Sequence, residues 1–77
     1  MKEFPILMKF LRERSDVSAR HLSSASDLSL SYISKMEKGQ VMPTVEVFAK
    51  IVRNLDISDA EIIYLIKNLA EGEADQV

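Results

Sequence analysis

SLSYISKMEKG, residues 29–39, is the stretch on which the reading of this sequence turns. At about 100° per residue around a helix axis, Ile33, Met36 and Glu37 fall on one side, and Ser31, Lys35 and Lys38 lie opposite. Leu30, Tyr32 and Ser34 occupy the flanks. Ser29 has the chemistry of an N-cap, and Gly39 suits the left-handed residue that closes a helix. The outward face is therefore small, polar and basic, and a helix of this width fits a DNA major groove. The solvated face of any surface helix has a similar composition, so the flanking segments decide whether this helix reads a partner or only fills a core.

Working toward the N-terminus, Ser18 is placed to cap a short helix from Ala19 to about Ala25, with Leu22 and Ala25 inward. The link SDL, residues 26–28, joins it to the quoted helix. A short helix, a tight link and a second helix with an outward Ser/Lys face form a helix-turn-helix arrangement, in which the second helix enters the groove. Further back, Pro5 suits a first helical turn. Phe4, Leu7, Met8 and Leu11 then share one face of a helix running to about Ser15, while Ile6 and Phe10 point elsewhere and imply a second packing partner. Toward the C-terminus, Thr44 after Pro43 caps a helix with Val47, Phe48, Ile51, Val52 and Leu55 inward. Ser58 and Glu61 then have capping-box spacing and open a fifth helix to about Ala70. No segment alternates for long enough to suggest a strand. The expectation is an all-α domain of five short helices over residues 1–70, followed by an acidic flexible tail over residues 71–77.

Composition bounds the rest. The 77 residues are 47% apolar and 29% charged, the balance of one soluble globular domain with a single core. There is no cysteine, hence no disulfide framework, and no apolar block of signal-peptide or membrane-spanning length, so a cytoplasmic home is expected. The net charge of −2 argues mildly against nucleic acid, but its distribution matters more: seven Lys or Arg face five acids up to Lys38, and three face seven from Gly39 onward.

At MKFLRERSDVSARHLSSASDLSLSYISKMEKGQVMPT, residues 8–44, the chain resembles the lambda-repressor/Cro-like (XRE) helix-turn-helix family. The family pattern runs L-x-x-L-R, L-S-Q-x-x-L-A, a glycine turn, S-x-x-x-I-S-x-x-E-x-G and then P-S/T, and SYISKMEKG followed by PT carries the resemblance most specifically. It implies a five-helix lambda-repressor-like domain with the helix-turn-helix at helices 2 and 3. It further implies a sequence-specific regulator of double-stranded DNA, of the phage or plasmid repressor kind, acting as a dimer on a near-palindromic operator. Arg12 and Glu37 take the positions of a structural ion pair. Base contacts would come from Leu30, Ser31, Ser34 and Lys35: Lys35 donating to guanine O6 or N7, Ser31 reaching either base edge, Leu30 packing on a thymine methyl. Phosphate contacts would come from Ser18, Arg20, Ser29, Lys38 and Gln40, and from Tyr32 unless its ring is taken up in packing on the second helix.

Three departures weaken the expected affinity without touching the fold. Ala19 stands where the family usually has Gln, and Asp16 and Asp27 stand at turn positions usually held by Gly. Asp tolerates a left-handed backbone better than most residues, though at a cost.

The fifth helix carries Ile62, Ile63, Tyr64, Leu65, Ile66 and Leu69, more apolar surface than one inward face needs. Part should pack on the first helix through Ile6 or Phe10. Ile63 and Tyr64 suit a homodimer interface, or else complete the monomer core, and Val41 and Met42 could serve either surface. The competing function is a protein-binding module, an antitoxin, antirepressor or assembly subunit, engaging a protein partner through the fifth helix. Enzymatic activity has little support: His21 is the lone histidine, with no second base or orienting residue spaced around it. The carboxylates lack metal-ligand spacing and Gly39 and Gly72 are isolated, so neither a metal nor a cofactor is expected.

Overall fold

A computed structural model of the protein describes the backbone of residues 3–75 and the side chains of residues 3–69. Five α-helices follow one another, with no strand among the described residues: α1 Glu3–Arg14, α2 Ala19–Ala25, α3 Leu30–Glu37, α4 Val45–Val52 and α5 Asp59–Asp75. Each start is written in local side-chain chemistry. Ser18 Oγ accepts from His21 N at 3.0 Å, Ser29 Oγ from Tyr32 N at 3.0 Å, and Thr44 Oγ1 from Val47 N at 3.2 Å. At α5, Glu61 N donates to Ser58 Oγ and Ser58 N to Glu61 Oε1, the reciprocal capping box. Glu3 in the first turn of α1 and Arg12 and Arg14 in its last complement the helix dipole.

The ends follow a shared rule. α1, α2 and α3 each close in a Schellman motif, with a left-handed residue just past the cap: Asp16 at φ 60°, Asp27 at φ 56° and Gly39 at φ 78°. In each, the next amide reaches back to a carbonyl of the last turn: Val17 N to Arg12 O at 3.3 Å, Leu28 N to Ser23 O at 2.8 Å, Gln40 N to Lys35 O at 2.8 Å. Gly39 meets a second demand, because a Cβ there would stand 3.3 Å from Cγ of the buried Pro5.

These helices enclose one core of Phe4, Met8, Leu11, Leu22, Ile33, Met36, Phe48, Ile51, Leu65 and Leu69. Phe4 and Phe48 tie the chain's two halves, their rings 6.1 Å apart and tilted at 42°. On α4, Phe48 and Ile51 are buried, while Val47 and Val52, and Leu55 just past the helix, are half-buried at the core's margin. A polar clasp fixes α1 against the start of α5. Arg14 pairs with Glu61, its Nη2 also donating to Asp56 O at 3.1 Å, and Ser15 Oγ accepts from Asp56 N at 3.0 Å while donating to Leu11 O at 2.8 Å.

Three sequence expectations need correction. Ala25 is exposed; the inward face of α2 is Leu22 with Ser23 and Ser26, because Leu22 dominates so short a helix and the neighbouring serines satisfy their hydroxyls on backbone. Ser23 Oγ donates to Arg20 O at 2.8 Å, and Ser26 Oγ donates to Lys50 O at 3.5 Å while accepting from Asn54 Nδ2 at 3.3 Å. Ile6 and Phe10, expected to meet the fifth helix, are 69% and 57% exposed. The inward direction of α1 is set by Phe4, Met8 and Leu11, and Ile6 and Phe10 lie roughly 170° and 130° around from it. Finally, α5 runs on past Ala70 to Asp75, since Glu71, Glu73 and Ala74 are good helix formers and a single Gly72 costs only about 1 kcal/mol. Of the stretch expected as a tail, residues 76 and 77 lie outside the described residues. Among the described residues no helix is long and apolar enough to cross a membrane, and no cluster of His, Asp and Glu could hold a metal ion.

Candidate nucleic-acid interface

The recognition-helix candidate α3 is anchored by its inner side and free on its outer. Ile33 and Met36 are wholly buried, and Glu37, one residue further, meets Arg12 of α1 in a two-pronged ion pair. Arg12 Nε donates to Glu37 Oε2 at 2.7 Å and Nη2 to Glu37 Oε1 at 3.1 Å, with side chains only 10% and 9% exposed. Its third prong, Nη1, donates to Val17 O at 2.8 Å. One guanidinium therefore links α1, the α1–α2 turn and the far end of α3. The hydrogen bond from Glu37 holds the Arg12 guanidinium above arginine's ordinary pKa, against the opposing effect of burial, so it remains a cation throughout.

The outer side of α3 presents Leu30, Ser31 and Lys35, all exposed, with Lys38 and Gln40 exposed at its C-terminal end. Ser34 is half-buried and so less available than its helical position suggests. Tyr32 is half-buried against the core, and burial pushes its hydroxyl above the ordinary tyrosine value, leaving a neutral donor at any physiological pH. Ser18 and Arg20 are exposed at the beginning of α2, and Ser29 at the beginning of α3. The two N-caps have already committed one lone pair each to a backbone amide. Their hydroxyl hydrogens stay free to donate outward. The sets expected to meet bases and phosphates thus sit on α3's outer face and on the two helix starts, joined through the α2–α3 packing.

Chemically the surface offers hydrogen-bond donors and three cations, Arg20, Lys35 and Lys38, without an acid–base pair or nucleophile poised for reaction. The exposed Asp16 and Asp27 subtract charge from the same half of the molecule. Sequence reasoning missed the contribution of Asn54, whose Nδ2 donates to Lys50 O at 2.9 Å and to Ser26 Oγ, pinning the α2–α3 turn onto α4. It also missed the bond from Arg12 to Val17 O. Neither has a sequence signature: the Arg12 bond depends on how the α1–α2 turn brings the Val17 carbonyl back to Arg12, the Asn54 bond on α4 packing beside Ser26, 28 positions from Asn54.

Comparisons with known proteins fit this geometry. A family profile described as helix-turn-helix matches residues 8–62. Two proteins from different strains of Mycobacterium tuberculosis, both described as uncharacterized HTH-type transcriptional regulators, are each 36% identical over 67 residues, covering 86% of this chain and 47% of their own length. The chain thus spans about half the length of these curated relatives. No solved structure matches it.

Proposed function

The chain belongs to the lambda-repressor/Cro-like helix-turn-helix family, and from that premise we propose that it is a DNA-binding transcriptional regulator, a repressor that binds a near-palindromic operator as a dimer. In this reading α3 lies in the major groove. Lys35, Ser31 and Leu30 meet base edges, Ser34 contributes at the margin, and Ser18, Arg20, Ser29, Tyr32, Lys38 and Gln40 hold the phosphates. The observation that carries it is the asymmetry of α3: an inner side locked by Ile33, Met36 and the Arg12–Glu37 pair, and an outer side of exposed Leu30, Ser31 and Lys35. A rigid helix with a short polar outer face is what groove docking needs.

Dimerisation through the exposed Ile63 and Tyr64 of α5 would set two recognition helices about 34 Å apart, one turn of DNA. With a weak dimer, occupancy would follow protein concentration steeply, which supplies a means of regulation. A cytoplasmic home and the absence of enzymatic chemistry go with this reading.

A second reading, a protein-binding module, is favoured by one observation: Ile6, Phe10, Ile63, Tyr64 and Ile66 are large apolar side chains left about half exposed or more. Fluorescence anisotropy on duplex DNA over a salt series separates the two. The regulator loses affinity steeply with salt, and Lys35→Ala and Arg20→Ala each weaken it; Arg20→Ala also lowers the salt slope by about one. Unchanged binding in both variants would rule out the groove assignment.

A further inference from the structure

Where the α2–α3 turn meets the end of α4, a small polar junction joins the two. Ser26, the C-cap of α2 and only 3% exposed, donates its hydroxyl to Lys50 O at 3.5 Å and accepts from Asn54 Nδ2 at 3.3 Å. The same Nδ2 donates to Lys50 O at 2.9 Å and to Ala25 O at 3.5 Å, so one side-chain amide serves carbonyls at the C-terminal ends of two helices. We infer that Asn54, acting through Ser26, is a positioning residue for base reading: it fixes where the turn delivers the first residues of α3. The inference rests on the groove reading proposed above.

Polar contacts tie α3 down at both ends. Its last residue, Glu37, is held by Arg12, and its start follows Ser26 by only a few residues. Among the described residues, every hydrogen bond between the helix-turn-helix and α4 with the turn after it runs through Ser26 or Asn54. The α2–α3 turn needs such a hold from outside, because Asp27 within it keeps a left-handed φ of 56°, a conformation adopted at a cost by any residue with a Cβ. Asn54 acts at a distance: its partners Ala25, Ser26 and Lys50 include none of the residues assigned to bases or phosphates.

Reach decides what a loosened junction does. α3 has 8 residues and is about 12 Å long, so a shift of about 1 Å at its start, with Glu37 held, tilts it by about 5°. Ser31 and Leu30, short side chains in the first turn, cannot follow such a shift, and contacts of this kind need placement to about 0.5 Å. Arg20, Lys35 and Lys38 carry their charges on long side chains that can. Disturbing Asn54 or Ser26 therefore lowers discrimination between sequences and leaves phosphate binding, the source of general affinity, nearly as it was.

Anisotropy titrations with two duplexes test the inference: the sequence that the wild-type chain enriches from a random pool, and a scrambled duplex of the same composition. In Asn54→Ala and in Ser26→Ala the affinity ratio between them is expected to fall about tenfold, the worth of roughly one base contact. The scrambled duplex should bind within about twofold of the wild type, with an unchanged salt slope. The double variant should fall no further than either single one, because both changes break the same junction. Partial unfolding lowers both affinities together and leaves the ratio intact, so the ratio separates positioning from stability. Should Asn54→Ala fail to fold, Ser26→Ala decides, since it leaves the Asn54 bond to Lys50 O in place. An unchanged ratio, or an equal loss on both duplexes, overturns the inference while the groove reading stands. A wild type that enriches no sequence overturns both.

Discussion

Replacing Arg12 by alanine removes three hydrogen bonds, two to Glu37 and one to Val17 O, and leaves the Glu37 carboxylate only 9% exposed and without a cation. Breaking a buried pair from one side costs about 3–5 kcal/mol, because the surviving charge has neither water nor a partner. A domain of this length has about 4–12 kcal/mol in all, at roughly 0.05–0.15 kcal/mol per residue. The variant should therefore stand near the edge of folding, with Tm lowered by on the order of 15–30 °C. The paired change Arg12→Met with Glu37→Leu removes both charges and refills the volume. It should recover most of the loss and remain about 1 kcal/mol below the wild type, the Val17 carbonyl having lost its bond from Arg12 Nη1. Urea and thermal unfolding followed by circular dichroism measure all three chains. An Arg12→Ala chain within about 1 kcal/mol of the wild type, or a double variant no more stable than the single, would refute the claim that this pair anchors α3.

Backbone geometry gives two further expectations. Gly39→Ala should cost about 1–2 kcal/mol in chemical denaturation, since it forces a left-handed φ of 78° on a residue with a Cβ and presses it toward Pro5; a neutral result would contradict the Schellman closure of α3. At 16 and at 27 the order of stability should be Gly, Asp, Ala, with each Ala chain about 1 kcal/mol below the Asp chain, and a more stable Ala chain would count against the left-handed turns. Acid titration probes the α1–α5 clasp. The Arg14 side chain, helped by the Ser58 amide, holds the Glu61 carboxyl down to about 2 from an ordinary 4.5, so its contribution is complete above about pH 4.5 and is lost as pH falls toward 2. Glu61→Gln should flatten the pH dependence of Tm across that window, and an unaltered slope would mean that the pair contributes nothing to folding.

Much of this architecture is legible in the sequence because helix starts are local events. Ser18, Ser29, Thr44 and Ser58 each announce a helix through a hydroxyl three residues ahead of the amide that it caps. The face of α3 is legible for the same reason: Ile33 and Met36 lie on one side of a single helix whatever surrounds it. Ala25 was not, because a seven-residue helix has too few apolar positions to fix its own rotation, and two buried serines took its place by bonding to backbone. The end of α5 was obscured by acidic residues that suit a helix as well as a tail. For Ile6 and Phe10 the direction was readable from the 3.6-residue period, yet whether anything in the same protomer covers that direction depends on the path of α5. The role of Arg12 and Glu37, 25 positions apart, came from the family resemblance, and the Arg12 bond to Val17 O and the Asn54 bridge to Ser26 are visible only once the chain is folded.

Selection of bound duplexes from a random DNA pool at near-physiological salt, followed by sequencing, tests the central claim most directly. A dimeric groove reader enriches an inverted repeat with half-sites about one helical turn apart, and an Arg12→Met with Glu37→Leu chain, which leaves the outer face of α3 untouched, enriches the same repeat. Failure to enrich any sequence, or binding that falls with salt and carries no motif, would contradict the proposal that α3 reads DNA.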